Sequence, residues 1–399
     1  MSKEPAERVR LNMKKSTEKL IYFDNSATTF IKPDAVYERI IDVMKNAGGN
    51  AGRGGHKLAN AASDVIFDTR LKVCDLFNIK SPSGVCFVSN ASMGLNFAIK
   101  GILKSGDHVI MSPFEHNSVI RPVHKLSQNG VTYTVAPCDK NGFFEDLENL
   151  IIPQTKMIIV NHVSNVTGRI ADIEKIGHIA NKYGLVFLVD ASQSAGHTEI
   201  DVEKSFIDVL VCSGHKGLFG PQGTGIMYLN EKIKTDTVFE GGSGSMSELL
   251  TQPENLPDRF ETGTLNAPGI GGLCEGIKFL KDVGIENISA HEKRLADMLI
   301  RGLKTIKNVT VYSDNSVIPM TGVVGFNING LDSVEAANVL SEKYNIMVRG
   351  GLHCSMIAHR TIGTVEKGCI RVSFSCFNTE NEVKKLLNII DILSGFDVY

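Results

Sequence analysis

Ser213-Gly214-His215-Lys216 follows directly on the apolar run IDVLVC and opens into Gly217, Gly220, Gly223 and Gly225. A lysine at the end of a buried strand loses hydration, so its ammonium is costly to place without a task. Schiff-base formation is such a task, the neutral amine acting as a covalent nucleophile toward a carbonyl. The competing reading is a solvated lysine in a loop, and these four residues alone do not separate the two. A second signal is LVFLVD, which ends in Asp190 and runs on into Ala191, Ser192 and Gln193. A carboxylate at the carboxyl end of a buried strand faces the crevice where open α/β sheets bind ligands. It needs a cation or hydrogen-bond donors there. A protonated ring nitrogen would serve, and so would the backbone of a turn that Asp190 caps.

FVSNASMGLN places the small residues Ala91 and Ser92 where an apolar run gives way to a helical pattern. Backbone N–H groups at such a start, with the Ser92 hydroxyl, form an anion cradle, although an ordinary capped helix reads the same way. SPFEHNS sets His116 at another strand-to-helix turn. An imidazole there could stack on a flat ligand and shuttle protons, or have no role. Arg349 in VRGGLHCS and Arg371 in IRVSF are suited to bidentate carboxylate binding, with structural salt bridges as the alternative. Cys354 has the flexible or polar neighbours Gly350, Gly351 and His353 and lies near cations that favour a thiolate. Otherwise it is one more unreactive thiol. GxxxxGK[ST] and HExxH are absent, and Gly269-Ile270-Gly271-Gly272 lacks a preceding strand. Cys354, His359 and Cys369 do not follow a usual zinc spacing, so no metal site is expected.

These residues must be carried by regular elements. Short apolar runs at 84–89, 107–112, 157–163, 185–190, 207–213 and 223–229 predict strands buried on both faces. Helical patterns begin at Ala91 and near His116, and cover Asp172–Tyr183. The alternation predicts a mostly parallel α/β sheet. No helix separates the last two strands, which suits an antiparallel pairing there. Beyond Gly276 the pattern changes to a long helix over 285–306, strands near 309–312, 322–328, 346–348 and 369–375, and helices near 333–344 and 379–393. This predicts a smaller α+β unit with mainly antiparallel strands. The expected division is a polar arm over 1–20, a large domain over 21–280 and a small domain over 281–399, with part of the N-terminal segment packing on the last.

The chain has 399 residues, enough for a large core without disulfides or metals. A formal charge of −2 gives no electrostatic footprint for nucleic acid or an anionic membrane. No apolar run is long enough to span a bilayer, and the N-terminus MSKEPAERVRLNMKKSTEKL lacks an apolar signal core. The eight cysteines form no CxxC pair, and several sit in apolar runs. They read as thiols of a reducing compartment, and a cytoplasmic location is expected.

Taken together, YFDNSATT (22–29), RGGH (53–56), EHNS (115–118), HVSNVTG (162–168), VDASQ (189–193), SGHK (213–216), GPQGTG (220–225), RFETGTLN (259–266), RGGLHC (349–354) and RVSFSCFNTENEV (371–383) resemble the class V aminotransferase family of fold-type I pyridoxal-phosphate enzymes. Within it they are most similar to cysteine desulfurases and selenocysteine lyases. The resemblance implies a fold-type I transferase with a mostly parallel, seven-stranded type of sheet. It implies pyridoxal 5'-phosphate held by Lys216, with Asp190 at the pyridine nitrogen, Gln193 at the phenolic oxygen and His116 on the ring. Ala91, Ser92, Ser213 and His215 would hold the phosphate, and Thr264 would reach the phosphate of a neighbouring subunit. Arg371, Asn165, Arg349 and Ala27 would bind substrate, and Cys354 would carry the persulfide. Two positions differ from the usual pattern: Asn90-Ala91-Ser92-Met93 replaces Gly-x-Thr-Glu, and Leu352 stands where histidine is frequent.

The implied activity is desulfuration of L-cysteine to L-alanine by a homodimer that passes sulfur to an acceptor protein, as in iron–sulfur cluster assembly. The alternatives are a selenocysteine lyase or another β-elimination on the same scaffold, and a catalytically idle binding protein of the same fold.

Overall fold

A computed structural model describes residues 20–138, 146–314, 316 and 319–395. Apart from Leu20, the polar arm expected over 1–20 lies outside them. Seven strands form one sheet: β2 (Val85–Val88), β3 (His108–Met111), β4 (Thr132–Val135), β5 (Thr155–Asn161), β6 (Val186–Asp190), β7 (Val209–Ser213) and β8 (Gly225–Leu229). Their order across the sheet is β2-β8-β7-β6-β5-β3-β4. From β4 to β7 every pairing is parallel, while β8 runs antiparallel to both β7 and β2. The antiparallel strand is the one expected where no helix intervenes. The edge strand β4 was missed because TYTV is polar and half-exposed, so it lacks the apolar run that marks the others.

Alternate residues of each strand enter different cores. Phe87, Ile158, Phe187, Leu210 and Ile226 pack with α2 (Lys57–Phe77), α5 (Ile173–Lys182) and α6 (Ala267–Val283). Val88, Ile159, Leu188, Val211 and Met227 pack with α3 (Ala91–Ile102) and α4 (Asn117–Ser127). Both faces are therefore covered, and the strands read as unbroken apolar runs. Outside this sheet, α1 (Asp34–Asn46) packs on α6.

The edge strand β2 is closed by two side chains. Arg70 of α2 donates to the Val85 carbonyl, and Glu261 accepts from the Phe87 N–H at 2.7 Å. The two side chains pair with each other at 3.0 Å, both only 7% exposed. This buried pair satisfies the strand edge as a neighbouring strand would, and it satisfies its own charges by the same bonds.

The C-terminal elements begin with α7 (Ile285–Thr305), one residue beyond α6. β9 (Val309–Val311), β10 (Val323–Ile328) and β12 (Ile370–Ser373) form an antiparallel sheet in the order β12-β10-β9. Helices α8 (Ser333–Tyr344), α9 (Met356–Thr361) and α10 (Glu380–Ser394) complete the set. Short β11 (Ile346–Met347) departs from the expected antiparallel pattern. It pairs in parallel with β1 (Ile21–Tyr22), from the other end of the chain.

That pairing brings the N-terminal segment onto the C-terminal core. Phe23 is fully buried among Leu295, Phe326 and Ile370, with its ring edge-on to Phe374 at 5.3 Å. Its N–H donates to the Met347 carbonyl, and its carbonyl accepts from the Ser373 N–H. We predict that Phe23→Ala lowers unfolding stability by about 3–5 kcal/mol, measured by urea denaturation. A loss below about 1 kcal/mol would mean that this segment is not part of the core.

Candidate active site

The carboxyl ends of β5, β6 and β7 lie side by side, in register at Asn161–Asp190 and Asp190–Val211. This places Asp190 at one strand end and Ser213 at the next, with Lys216 three residues beyond. The two turns touch. A Cβ on Gly196 would lie 2.1 Å from the Gly217 carbonyl oxygen, and one on Gly217 would lie 2.3 Å from that of Ala195. Only glycine permits this approach, which seats the loop after Asp190 beneath the loop that bears Lys216.

A cavity of about 240 Å³ opens above these strand ends. It is lined by Ala27, Ala91, Ser92, His116, Asn165, Asp190, Gln193, Ser213, His215, Lys216, Arg349 and Arg371, twelve of the residues singled out in the sequence. Cys354 stands exposed beside it, next to the lining residue His353. Thr264 is elsewhere, hydrogen-bonded to Asn50 at 3.2 Å.

Each wall has a local cause. Asn90 caps α3 by accepting from the Met93 N–H at 3.0 Å, so the positive end of that helix, with Ala91 and Ser92, faces the cavity. His116 caps α4: its Nδ1 accepts from the Ser118 N–H at 3.1 Å, which leaves Nε2 to carry the ring proton. The Ser118 hydroxyl lies 2.7 Å from that of Ser92 and joins the two helix starts. Asp190 accepts from the Ser192 N–H at 3.0 Å, and Gln193 donates to the Ser26 carbonyl at 2.9 Å. The Ser192 hydroxyl lines the cavity and is buried without a partner among the described residues.

YFDNSATT, from the N-terminal segment, closes the floor. The His215 carbonyl accepts from the Thr29 N–H and from the Thr28 hydroxyl at 3.2 Å each. Asp24 pairs with Arg371 at 2.6 Å. Arg371 also donates to the Asn165 carbonyl at 3.1 Å, is 1% exposed, and keeps Nε without a partner among the described residues. Asp24 and Ser118 carry no individual signal in the sequence, although they lie within YFDNSATT and EHNS.

Electrostatics follow from burial. Burial pulls the Lys216 amine down to about 8; Asp190 opposes the shift, while Arg371 and Arg349 add to it. Burial likewise holds His116 and His215 to about 4, with Lys216 contributing to both. At neutral pH the two imidazoles are uncharged and the lysine exchanges its proton readily. Below the Cys354 turn, His353, His359 and Cys369 cluster within 4.8 Å, all buried. Here burial pushes the Cys369 thiol up to about 12, and His353 Nε2 lies 2.9 Å from the Cys369 carbonyl, so the cluster is neutral and hydrogen-bonded.

Residues 21–386 match the family model described as Aminotransferase class-V. The chain belongs to the aminotransferase class-V family. Among curated members, a probable cysteine desulfurase of Pyrococcus abyssi is 34% identical over 392 residues, covering 94% of this chain and 95% of the relative. A cysteine desulfurase of Wigglesworthia glossinidia brevipalpis is 32% identical, covering 97% of each chain. A solved apo cysteine desulfurase from Thermococcus onnurineus superposes with a TM-score of 0.87 at 33% identity, over 94% of each chain. An Escherichia coli cysteine desulfurase gives 0.84 at 25% identity, over 97% of each. The mostly parallel sheet of this class V member is therefore the fold-type I arrangement anticipated from its motifs.

Neutral burial of histidines makes stability depend on pH. His162 is held to about 3, and His116, His215 and His359 to about 4, burial being the first cause in each. Unfolded histidines take up protons from about 6.5 downward, so between there and 4 the unfolded chain binds protons that the native state excludes. Stability is then lost as pH falls through this window. Glu115 opposes this: burial raises it to about 8, so it favours the native state at low pH and loses that contribution as pH rises toward 8. Burial also lowers His108 and His353 and raises Glu261 and Asp208, so six lowered histidines stand against three raised carboxyls and outweigh them. We predict that the urea midpoint of the apoprotein falls between pH 6.5 and 4.5. A flat or rising profile toward acid would contradict the neutral burial of these histidines.

Proposed function

We propose that the protein is a pyridoxal-phosphate-dependent cysteine desulfurase, a sulfurtransferase that releases L-alanine from L-cysteine and carries the sulfur as a persulfide on Cys354. The observation that carries this reading is the convergence of Lys216, Asp190 and the Cys354 turn on one cavity beside Arg371. The relatives named cysteine desulfurase support it. On the same reading, residues 21–280 are the cofactor-binding domain and 281–399 a smaller domain that receives the N-terminal segment.

The residues suit the cofactor. A half-buried amine close to neutrality, a buried carboxylate, a Ser192 hydroxyl unpartnered among the described residues and a helix start facing the same cavity match its aldehyde, ring nitrogen, polar substituents and phosphate. Lys216 would hold it covalently, Asp190 would face the ring nitrogen, Gln193 the phenolic oxygen and His116 the ring. Ala91, Ser92, Ser213 and His215 would surround the phosphate. When bound, the cofactor supplies an electron sink next to the substrate α-carbon.

The chain's own groups do the rest. Arg371 and Arg349 bind the substrate carboxylate, with Asn165 and Ala27 beside it. The unpartnered Nε of Arg371 supports this role. Lys216 moves the α-proton, which suits an amine held near 8. The Cys354 thiolate attacks the substrate sulfur: an S–S bond forms, the carbon–sulfur bond breaks, and its electron pair stays with the carbon. That carbon then takes a proton, which neutral His116 can relay from Nε2. The products are alanine and a Cys354 persulfide, which is exposed and open to an acceptor protein. A reducing cytoplasm suits this chemistry, and no disulfide forms among the described residues.

The test is Cys354→Ala in the holoenzyme. Borohydride should still fix the cofactor to Lys216 in the variant, whereas alanine release from L-cysteine should fall by orders of magnitude. Wild-type turnover in Cys354→Ala would rule out the persulfide route.

A homodimer fits the exposed surface. Leu250 is fully exposed, and Phe239, Met246 and Leu249 on the same segment are 56%, 41% and 48% exposed. Arg53 ties this segment to the start of α2 through the Gly242 carbonyl at 2.5 Å, and Ile41 and Met44 of α1 are also exposed. Thr264, outside this chain's cavity, would then serve the partner's phosphate site. We predict a dimer by sedimentation, burying on the order of 2,000 Å² or more, and its dissociation by the double change Phe239→Glu and Leu250→Glu. Full turnover by a monomeric wild type would contradict it.

A further inference from the structure

The Asn165 side chain is bonded to the turn that carries Cys354. Its Nδ2 donates to the His353 carbonyl at 2.9 Å, and its Oδ1 accepts from the Ser355 hydroxyl at 2.7 Å. These two bonds bracket Cys354 in sequence. A third, from the Asn117 N–H to the Cys354 carbonyl at 2.7 Å, ties the same turn to the residue after His116. Asn165, His353 and Ser355 are 4%, 2% and 0% exposed, so solvent does not compete for these bonds.

The turn requires such holding. His353 and Cys354 have φ of 49° and 57°, two consecutive non-glycine residues in the left-handed region. That conformation persists only where the surroundings over-determine it. The same asparagine also lines the cavity, and its carbonyl accepts from Arg371 at 3.1 Å. An amide NH2 has two donors; one is used on His353, which leaves one for a carboxylate beside Arg371. A second path runs through the backbone. Arg371 and Arg349 exchange N–H···O bonds of 2.7 and 3.2 Å, and Arg349 Nη2 stands 3.8 Å from Cys354 Sγ.

We propose that Asn165 and Ser355 form a clamp that presets the strained Cys354 turn for attack and couples it to the place where the substrate carboxylate binds. Ser355 is then a positioning residue that touches neither substrate nor cofactor, while Asn165 serves both sides. The proposal rests on Cys354 being the nucleophile, which the Cys354→Ala experiment tests separately. Loss of the Ser355 hydroxyl leaves Asn165 Oδ1 buried and unpaired, and the turn is released from its strained conformation. A displacement of about 1 Å at the nucleophile costs on the order of a hundredfold in rate.

The experiment compares Ser355→Ala and Asn165→Asp with wild-type holoenzyme, measuring kcat and KM for L-cysteine, the cofactor absorbance change on adding cysteine, and the thermal midpoint. Ser355→Ala should lower kcat roughly ten- to a hundredfold, with KM and the absorbance response unchanged and the midpoint lowered by no more than about 5 °C, the cost of one unpaired buried acceptor. Asn165→Asp, which removes the donor to His353 and puts a negative charge beside the substrate carboxylate, should lower kcat and raise KM together. If Ser355→Ala keeps kcat within twofold of wild type, the clamp is wrong. A loss of kcat that comes with an equal loss of absorbance response, or with a midpoint lowered by more than about 5 °C, overturns it too, because Ser355 would then only support the fold. An Asn165→Asp variant with unchanged kcat also overturns it.

Discussion

A parallel sheet buried on both faces can present side chains to a ligand only at its ends. Here the carboxyl ends of β5, β6 and β7 are that outlet, and every group of the site is placed relative to them. Helix packing on both faces keeps water from the strands, so charges at the outlet are poorly solvated and must satisfy one another. The lowered Lys216 amine is the direct consequence, with Asp190 holding it against a larger fall. Its near-neutral value follows from burial and two neighbouring arginines set against Asp190 and Asp24.

The site depends on chain segments far apart in sequence. YFDNSATT begins as β1 beside β11, contributes Phe23 to the C-terminal core and then passes under His215. Asp24 at the same stretch pairs with Arg371. A single segment therefore fixes the distance between the strand ends that hold Lys216 and the strand that holds Arg371. Loosening it would separate Lys216 and Asp190 from Arg371 while leaving each sheet intact.

The Cys354 turn is treated differently from the rest of the site. Most site residues stand at helix starts or strand ends, where backbone geometry is relaxed. Cys354 sits in left-handed backbone, exposed, and held from below by buried hydrogen bonds. Rigid support under an exposed thiol fixes its position while leaving it open to solvent.

The strands, their mainly parallel pairing and the antiparallel β8 were legible from apolar runs and intervening helical patterns, because burial on both faces writes an unbroken hydrophobic signal. Lys216, Asp190 and His116 were legible because polar residues at the ends of such runs are conspicuous. The polar edge strand β4, the short strand β1 and its parallel pairing with β11 carried no such signal. Their strand character comes from neighbours supplied by the fold. The same holds for the links that complete the site: Asp24 on Arg371, Glu261 with Arg70 on the edge of β2, and Asn165 on both sides of Cys354. Residue type and spacing determined which groups could do chemistry and which elements would carry them. Only the tertiary structure decided which of those groups share a hydrogen bond, because such bonds join residues as distant as Asp24 and Arg371, 347 positions apart, and leave no periodicity in the chain.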